Sequence, residues 1–211
     1  LNVMGVNYDV LAQEEEKAAA QIAKAIEAVT MQREVYALVI EKDTFEPYVL
    51  QTTSNNAFAM TREEAIQTVA AAMGERDCAV STTGMISREL YEYRTAQGQG
   101  HERDFLTVGS MGHASQIALG IAMQQPDRRV WCFDGDGASI MHMGNMAILA
   151  VQHPRNMVHV VFNNGAHDSV GGQPTVGLQI NLTAIAQAMG YAAVRRVVTA
   201  EELQAACQEL A

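Results

Sequence analysis

Short apolar runs alternate with helical segments along this chain of 211 residues, and the alternation restricts the possible folds more than any other feature. Apolar runs typical of buried strands lie at 78–82, 105–107, 130–134, 157–163 and 192–198. Helical patterns lie between them at 61–73, 87–94, 112–124, 139–152 and 181–189, and a last one opens at Thr199. This order predicts the α/β class: a doubly wound, mostly parallel sheet with helices on both faces.

The first 50 residues carry a shorter pattern of their own. Apolar residues recur at helical spacing over 12–29, and a continuous apolar run follows at 35–40. The periodicity is lost over 41–58, which we interpret as a linker. We therefore expect residues 1–50 to be the end of a preceding domain plus a linker, and residues 51–211 to be a second domain. Two capping boxes, Thr61 with Glu64 and Thr199 with Glu202, predict helix starts in that second domain.

Composition excludes several classes of protein. Acidic residues outnumber basic ones by 24 to 14, giving a net charge of −10, which disfavours nucleic acid as a partner. The three cysteines are too sparse for a disulfide framework and predict a reducing, cytoplasmic location. No apolar stretch approaches the roughly 20 residues that a membrane span needs, so we expect no membrane partner.

Glycine-rich loops follow the predicted strands at 83–87, 108–113, 134–139 and 163–175. Ligands of parallel α/β sheets bind beyond the carboxyl ends of the strands, where these loops lie. In the third loop, Asp136 stands between Gly135 and Gly137, just before a predicted helix whose first amides suit a phosphate. A carboxylate beside a phosphate requires a cation between them, and Mg²⁺ is the usual one. Taken alone, however, Gly-Asp-Gly is also compatible with a plain turn.

A second polar group follows the next predicted strand. A stretch of 25 residues separates Gly137 from Asn163-Asn164-Gly165, enough for one helix and one strand. The two strand ends can therefore be neighbours, and the Asn164 amide oxygen is a suitable ligand for Mg²⁺. The alternative is an ordinary Asn-Gly turn.

Together, the two segments resemble the motif of the thiamine-diphosphate enzymes, which is Gly-Asp-Gly, about 25 residues and then Asn-Asn. The resemblance implies that Asp136 and Asn164 bind Mg²⁺ through their side chains and that Ala166 adds its backbone carbonyl. It further implies that the Gly135-Asp136-Gly137-Ala138 turn binds the diphosphate, with amides from Gly137 and Ala138. The implied architecture is the thiamine-diphosphate-binding fold, with residues 1–50 as the end of a pyrimidine-binding domain and 51–211 as the diphosphate-binding domain.

Two other loops resemble cofactor-binding segments of the same family. By this resemblance the carbonyl of Gly109 receives the aminopyrimidine amine, and Met111 holds the cofactor in a bent conformation. Ordinary core packing is the alternative for Met111. Gly84 matches a weaker family position that contacts the diphosphate.

The segments 109–114 and 166–175 narrow the resemblance to phosphonopyruvate decarboxylases and the related sulfopyruvate decarboxylases. They make His167 and Asp168 the catalytic candidates, although Asp168 stands where the family has a glutamate. An exposed loop residue is the alternative for His167. Arg88, Arg94 and Arg103 alternate with acidic residues and are interpreted as a solvated helix face.

The resemblance implies a carboxy-lyase that converts phosphonopyruvate, a small anionic 2-oxoacid, to phosphonoacetaldehyde and CO₂ with thiamine diphosphate and Mg²⁺. A pyrimidine-binding domain or subunit would supply the activating glutamate, so we expect this chain alone to be inactive, and a homo-oligomer in the complete enzyme. The alternatives are a sulfopyruvate decarboxylase subunit and another thiamine-diphosphate 2-oxoacid enzyme. A non-catalytic nucleotide-binding module would need Gly-x-Gly-x-x-Gly, but Ile140 occupies the position of the third glycine.

Overall fold

Two α/β units make up the chain in the computed structural model, which describes residues 1–48 and 58–210 with the side chain of Leu210 excepted. The first unit spans Leu1–Gln51 and the second Thr52–Ala211. In the first unit, β1 (Asn7–Val10) and β2 (Tyr36–Val39) form a two-stranded parallel sheet. The connection between them is α1 (Glu15–Glu27), which ends in a π-helical turn, Ala28–Gln32. The helix and β2 were predicted, whereas β1, which alternates polar Asn7 and Asp9 with apolar residues, was not.

The second unit is built on a four-stranded parallel sheet with the order β4-β3-β5-β6. Its strands are β3 (Cys78–Ser81), β4 (Asp104–Leu106), β5 (Val130–Gly135) and β6 (Met157–Phe162). Its helices are α2 (Arg62–Ala72), α3 (Met85–Ala96), α4 (Ala114–Gln124), α5 (Asp136–Met141), α6 (Gly144–Gln152), α7 (Leu182–Met189) and α8 (Ala200–Leu210). A short antiparallel pair, β7 (Ala166–His167) and β8 (Gln173–Pro174), follows β6. The predicted α/β class and parallel sheet are confirmed.

The two faces of this sheet carry separate apolar cores, because successive side chains of a strand point to opposite faces. Trp131 and Phe133 of β5 pack with residues of α2, α3 and α8 on one face. Val130 and Cys132 pack with α4 on the other face. All three cysteines are buried free thiols, and burial raises the pKa of each of them. The alternating direction of the side chains therefore determines which strand residues reach each face.

Both predicted capping boxes are present. The Thr61 hydroxyl accepts the Glu64 amide while the Glu64 carboxylate accepts the Thr61 amide, at the start of α2. At the start of α8, the Glu202 amide donates to the Thr199 hydroxyl over 3.2 Å, and the Glu202 carboxylate accepts the Val198 and Thr199 amides. None of the helices in the described ranges combines the length and apolar character that a membrane span requires.

Three predictions about this unit were wrong. The helix predicted at 139–152 is two helices, since His142, at φ −128° and ψ 48°, leaves the helical region. The strand predicted at 192–198 is not a strand: this described segment has no sheet pairing. Arg94 does not belong to a solvated face, because its guanidinium lies 3.1 Å from the Asp104 carboxylate, with exposures of only 3% and 1% for the two side chains.

Candidate functional site

The glycine-rich loops meet at the carboxyl end of the four-stranded sheet, and Gly137 lies where three of them come together. A Cβ placed at Gly137 would stand 2.5 Å from Cε1 of His167 and 3.3 Å from Cε of Met111. Gly84 lies against a neighbouring part of the same region, where an added Cβ would stand 3.0 Å from Oγ of Ser169. The structure therefore brings together candidate residues that are far apart in sequence.

Asp136 is the first residue of α5 and is only 2% exposed. Its carboxylate accepts a hydrogen bond from the Thr175 hydroxyl. No lysine, arginine or histidine forms an ion pair with this carboxylate within the described parts of the chain. Burial raises the pKa of the Asp136 carboxyl, whereas the Thr175 hydrogen bond, backbone hydrogen bonds and the charge of His167 oppose that rise. Asp136 is therefore a buried carboxylate that forms no ion pair within the described residues.

Thr175 and Gly177 complete the surroundings of Asp136. Gly177 is buried against the Asp136 carboxylate, and its amide donates to the Thr175 hydroxyl oxygen over 3.0 Å. The Gly177 carbonyl accepts from the Asn163 side-chain amide over 2.7 Å. Sequence reasoning missed Gly177 and the role of Thr175, because no spacing rule relates this segment to Asp136.

Asn164 lies on the same loop as Asn163 but has different partners. Its Oδ1 accepts the Ala166 amide over 3.1 Å, and its Nδ2 donates to Oδ2 of Asp168 over 2.8 Å. Among the residues that the structure describes, no hydrogen bond joins Asn164 to Asp136. The amide oxygen has a second lone pair, so its bond to Ala166 leaves it capable of binding a cation.

Asp168 forms an ion pair with a residue that the sequence did not single out. Arg62, the first residue of α2, places Nη1 at 2.5 Å from Oδ2 of Asp168. Its Nε and Nη2 donate to Glu89 over 2.9 and 2.7 Å, so the guanidinium is shared between two carboxylates. The carboxylate oxygen of Asp168 that faces Arg62 is also the one that binds Asn164. Asp168 is therefore anchored to α2 and holds the side chain of Asn164.

The loop over 108–113 stands open on one side. Gly109 is exposed, and an added Cβ would meet no atom of the described residues within 4 Å. Met111 is half-buried and directed at Gly137. Gly112, at φ +85°, packs so closely that an added Cβ would stand 2.6 Å from the His142 ring and 2.8 Å from the Ala138 carbonyl oxygen. Glycine is required at 112 both for the backbone conformation and for this contact.

The donor set at this site fits a divalent cation with an anionic ligand. The Asp136 carboxylate and the Asn164 amide oxygen are hard oxygen ligands of the type that Mg²⁺ prefers. The Thr82 hydroxyl, next to the end of β3, is buried and has no hydrogen-bond partner in the described residues. It lies beside Gly135, since an added Cβ there would stand 4.0 Å from Cγ2 of Thr82. A buried hydroxyl without a partner is costly unless a ligand satisfies it.

Comparison with known proteins identifies a thiamine pyrophosphate-binding family and relatives that are named as decarboxylases. The family model described as the C-terminal TPP binding domain of thiamine pyrophosphate enzymes matches residues 82–211. A phosphonopyruvate decarboxylase of Streptomyces hygroscopicus is 39% identical over 148 residues, covering 70% of this chain and 35% of that protein. A sulfopyruvate decarboxylase beta subunit of Methanothermobacter thermautotrophicus is 37% identical over 136 residues, covering 64% of this chain and 70% of that subunit.

Solved structures show a similar fold. The crystal structure of a benzoylformate decarboxylase from Polynucleobacter necessarius superposes with a TM-score of 0.58 at 17% identity, covering 82% of this chain and 35% of that chain. This chain thus spans about a third of the length of the decarboxylase from Streptomyces hygroscopicus. The match over residues 82–211 covers more than half of the chain, which therefore belongs to the thiamine pyrophosphate enzyme family, through its C-terminal TPP binding domain.

Proposed function

We propose that this chain provides the diphosphate- and Mg²⁺-binding half of an enzyme that decarboxylates phosphonopyruvate to phosphonoacetaldehyde and CO₂. The observation that supports it most directly is the buried Asp136 carboxylate, which forms no ion pair within the described residues and lies at the ligand-binding edge of the sheet. A divalent cation would compensate this charge and attract a diphosphate. The similarity to the phosphonopyruvate decarboxylase of Streptomyces hygroscopicus supports the choice of substrate.

In this proposal, each residue of the site has a defined task. Asp136 and Asn164 hold Mg²⁺ with the carbonyl of Ala166, while Gly84 and the turn Gly135–Ala138 receive the diphosphate. Gly109 and Met111 fix the aminopyrimidine end of the cofactor. Thiamine diphosphate, when bound, supplies the nucleophile that adds to the keto carbon and the electron sink that accepts the electrons released with CO₂.

The two catalytic candidates have different roles in the proposal. His167 lies over Gly137, next to the proposed diphosphate turn, and we assign it to the substrate side of the site. The contacts of Asp168 favour a positioning role. Its Oδ2 is bound by Arg62 and by Asn164, so the carboxylate orients a metal ligand.

A second candidate function is that of a sulfopyruvate decarboxylase beta subunit. It is favoured by the coverage, because the chain spans 70% of the beta subunit from Methanothermobacter thermautotrophicus. In either case a pyrimidine-binding domain or subunit supplies the glutamate that activates the cofactor. For the first candidate we propose a cytoplasmic homo-oligomer of the complete enzyme. Parallel assays with phosphonopyruvate and sulfopyruvate decide between the two, since the preferred substrate has the larger kcat/KM.

The metal site is tested by Asp136→Ala. This variant should abolish Mg²⁺-dependent binding of thiamine diphosphate by the complete enzyme, because the cation loses its only charged protein ligand. The measurement is calorimetric titration with and without Mg²⁺. Asp127→Ala is a matched control, since it removes an exposed carboxylate from the loop before β5. Unchanged affinity in Asp136→Ala would contradict the assignment.

The half-site character is tested by the chain itself. Residues 1–211 alone should not decarboxylate phosphonopyruvate at an enzymatic rate, because a cofactor held at one end is poorly oriented. Adding the pyrimidine-binding domain or subunit should restore both tight binding and turnover. The assay follows phosphonoacetaldehyde with Mg²⁺ and thiamine diphosphate present. Equal rates for the short chain and the complete enzyme would contradict the half-site proposal.

A further inference from the structure

A buried polar cluster lies directly behind the Asp136 turn, on the face of the sheet that is otherwise apolar. Asp134 follows Val130 and Cys132 on this face of β5, and its side chain is 1% exposed. Nε2 of His159, on β6, lies 3.3 Å from Oδ2 of Asp134. Nδ1 of His159 lies 2.9 Å from the hydroxyl of Tyr191, the second residue after α7. The cluster therefore connects β5, β6 and the segment after α7, which are far apart in the sequence.

Asp134 accepts hydrogen bonds from two residues that lie on either side of Asp136 in the sequence. Oδ1 of Asp134 accepts the Gly135 amide over 3.0 Å, and Oδ2 accepts the Ser139 hydroxyl over 3.1 Å. One donor thus precedes Asp136 by one residue, and the other follows it by three residues. Both are fixed to a single carboxylate, so the position of that carboxylate sets the path of the backbone that carries Asp136.

The cluster is arranged as a chain of donors and acceptors. An ionised carboxylate only accepts, so Nε2 of His159 carries the proton that faces Asp134. With the ring neutral, Nδ1 then accepts from the Tyr191 hydroxyl. All three polar side chains are satisfied in this way, and the tyrosine hydroxyl fixes the orientation of the imidazole.

Cys132 also lies near this cluster, and its sulfur, with Asp134 and His159, could in principle hold a metal ion, since the three ligand atoms lie within 4.8 Å of one another. The hydrogen bonds argue against this use. Burial raises the pKa of the Cys132 thiol well above its ordinary value, whereas a metal requires the thiolate. Asp134 and His159 already satisfy each other, and a metal would break that bond.

We propose that Asp134, His159 and Tyr191 act as positioning residues: they form a brace that holds the Asp136 turn in the geometry required for Mg²⁺ and diphosphate. The expected effect on cofactor affinity rests on the proposed function, whereas the expected effect on the structure of the Asp136 turn does not. Residues that orient a metal ligand without touching the metal typically contribute about 10- to 100-fold to metal affinity. We therefore expect about 10-fold weaker Mg²⁺-dependent binding in Tyr191→Phe and about 100-fold weaker binding in Asp134→Asn.

The experiment compares these variants with a hydrogen-bond deletion at the other end of β5. Asp77 accepts a hydrogen bond from Nε1 of Trp131 over 2.8 Å, so Asp77→Ala removes a partly buried bond from the amino-terminal end of the strand. Amide hydrogen exchange of residues 134–141 in the chain without cofactor reports on the turn. Calorimetric titration of the complete enzyme with thiamine diphosphate and Mg²⁺ reports on affinity.

Faster exchange at 134–141 and weaker binding in Tyr191→Phe and Asp134→Asn, with neither change in Asp77→Ala, would support the brace. Wild-type affinity in both brace variants would overturn it, whatever the exchange rates, and so would wild-type exchange at 134–141. Failure of the proposed function has a different signature: the wild-type enzyme would not bind thiamine diphosphate in a Mg²⁺-dependent way. In that case faster exchange in Tyr191→Phe would still support the structural part of the brace, and unchanged exchange would overturn it.

Discussion

Replacing Gly177 with alanine should weaken cofactor binding although the residue has no side chain to lose. A Cβ at this position would overlap Oδ2 of Asp136, and it would stand 2.8 Å from Cβ of Asp136 and 2.7 Å from Oδ1 of Asn163. Ordinary contacts begin at 3.4 Å, so Cβ of Asp136 must move away by about 0.6 Å, the difference between 3.4 and 2.8 Å, and Oδ2 must move further. The carboxylate has little room to do so because it is 2% exposed.

The magnitude follows from that displacement. Misplacement of a reactive or binding group by about 1 Å can cost on the order of 100-fold in rate. For a shift of about 0.6 Å we expect Mg²⁺-dependent affinity for thiamine diphosphate to fall by about 10- to 100-fold. Overpacking should also lower the free energy of unfolding by about 1–3 kcal/mol.

The assay is calorimetric titration of the complete enzyme with and without Mg²⁺, together with thermal unfolding. Gly120→Ala is the matched control, because an added Cβ at this exposed position in α4 meets no atom within 4 Å. It should leave affinity unchanged and stabilise the helix by up to about 1 kcal/mol. Wild-type affinity in Gly177→Ala would refute the argument that this glycine sets the position of Asp136.

Three other outcomes are expected. Met111→Ala should keep affinity for thiamine diphosphate within a few-fold but lower kcat in steady-state assays; normal kcat would mean that Met111 only packs. In denaturant titrations, Arg94→Met should lower the free energy of unfolding by about 3–5 kcal/mol, because Asp104 stays buried without its partner. The double variant Arg94→Met with Asp104→Leu should recover most of this loss. Burial raises the pKa of the Cys132 thiol, so the folded chain keeps a proton that the unfolded chain releases near the ordinary thiol pKa of 9.0. The free energy of unfolding should therefore fall as pH rises above that value. Alkylation of Cys132 should require unfolding, because the thiol is buried.

Features that depend on neighbouring residues were predictable from the sequence. The capping box of Thr61 and Glu64 is complete within four residues, so its pattern alone identifies the start of α2. The apolar run over 130–134 identifies β5 because it is buried on both faces. By contrast, the only breaker residue near His142 is Gly144, which a helix can tolerate, so one periodic pattern covered both α5 and α6.

Features that depend on distant partners were not predictable. The charged residues near Arg94 in the sequence are typical of a solvent-exposed helix face, and only the fold places Asp104 against it. The site divides in the same way. The Gly-Asp-Gly turn identified Asp136 as a candidate, but Gly177 and Arg62 are brought to the site by chain segments whose approach no local pattern encodes.

The strand order has a consequence for how the chain acquires its structure during synthesis. β3 pairs with β5, so the centre of the sheet cannot form until Val130, 52 residues after its partner Cys78, has been synthesised. A ribosome adds about 5–20 residues per second, so this interval lasts several seconds. Tyr191 emerges later still, which makes the Asp136 turn one of the last parts of the unit to become fixed. During this time β3 can pair with β4 but not with β5, so a nascent chain exposes one unpaired edge of an apolar strand. This interval is when we expect the chain to depend most on chaperones.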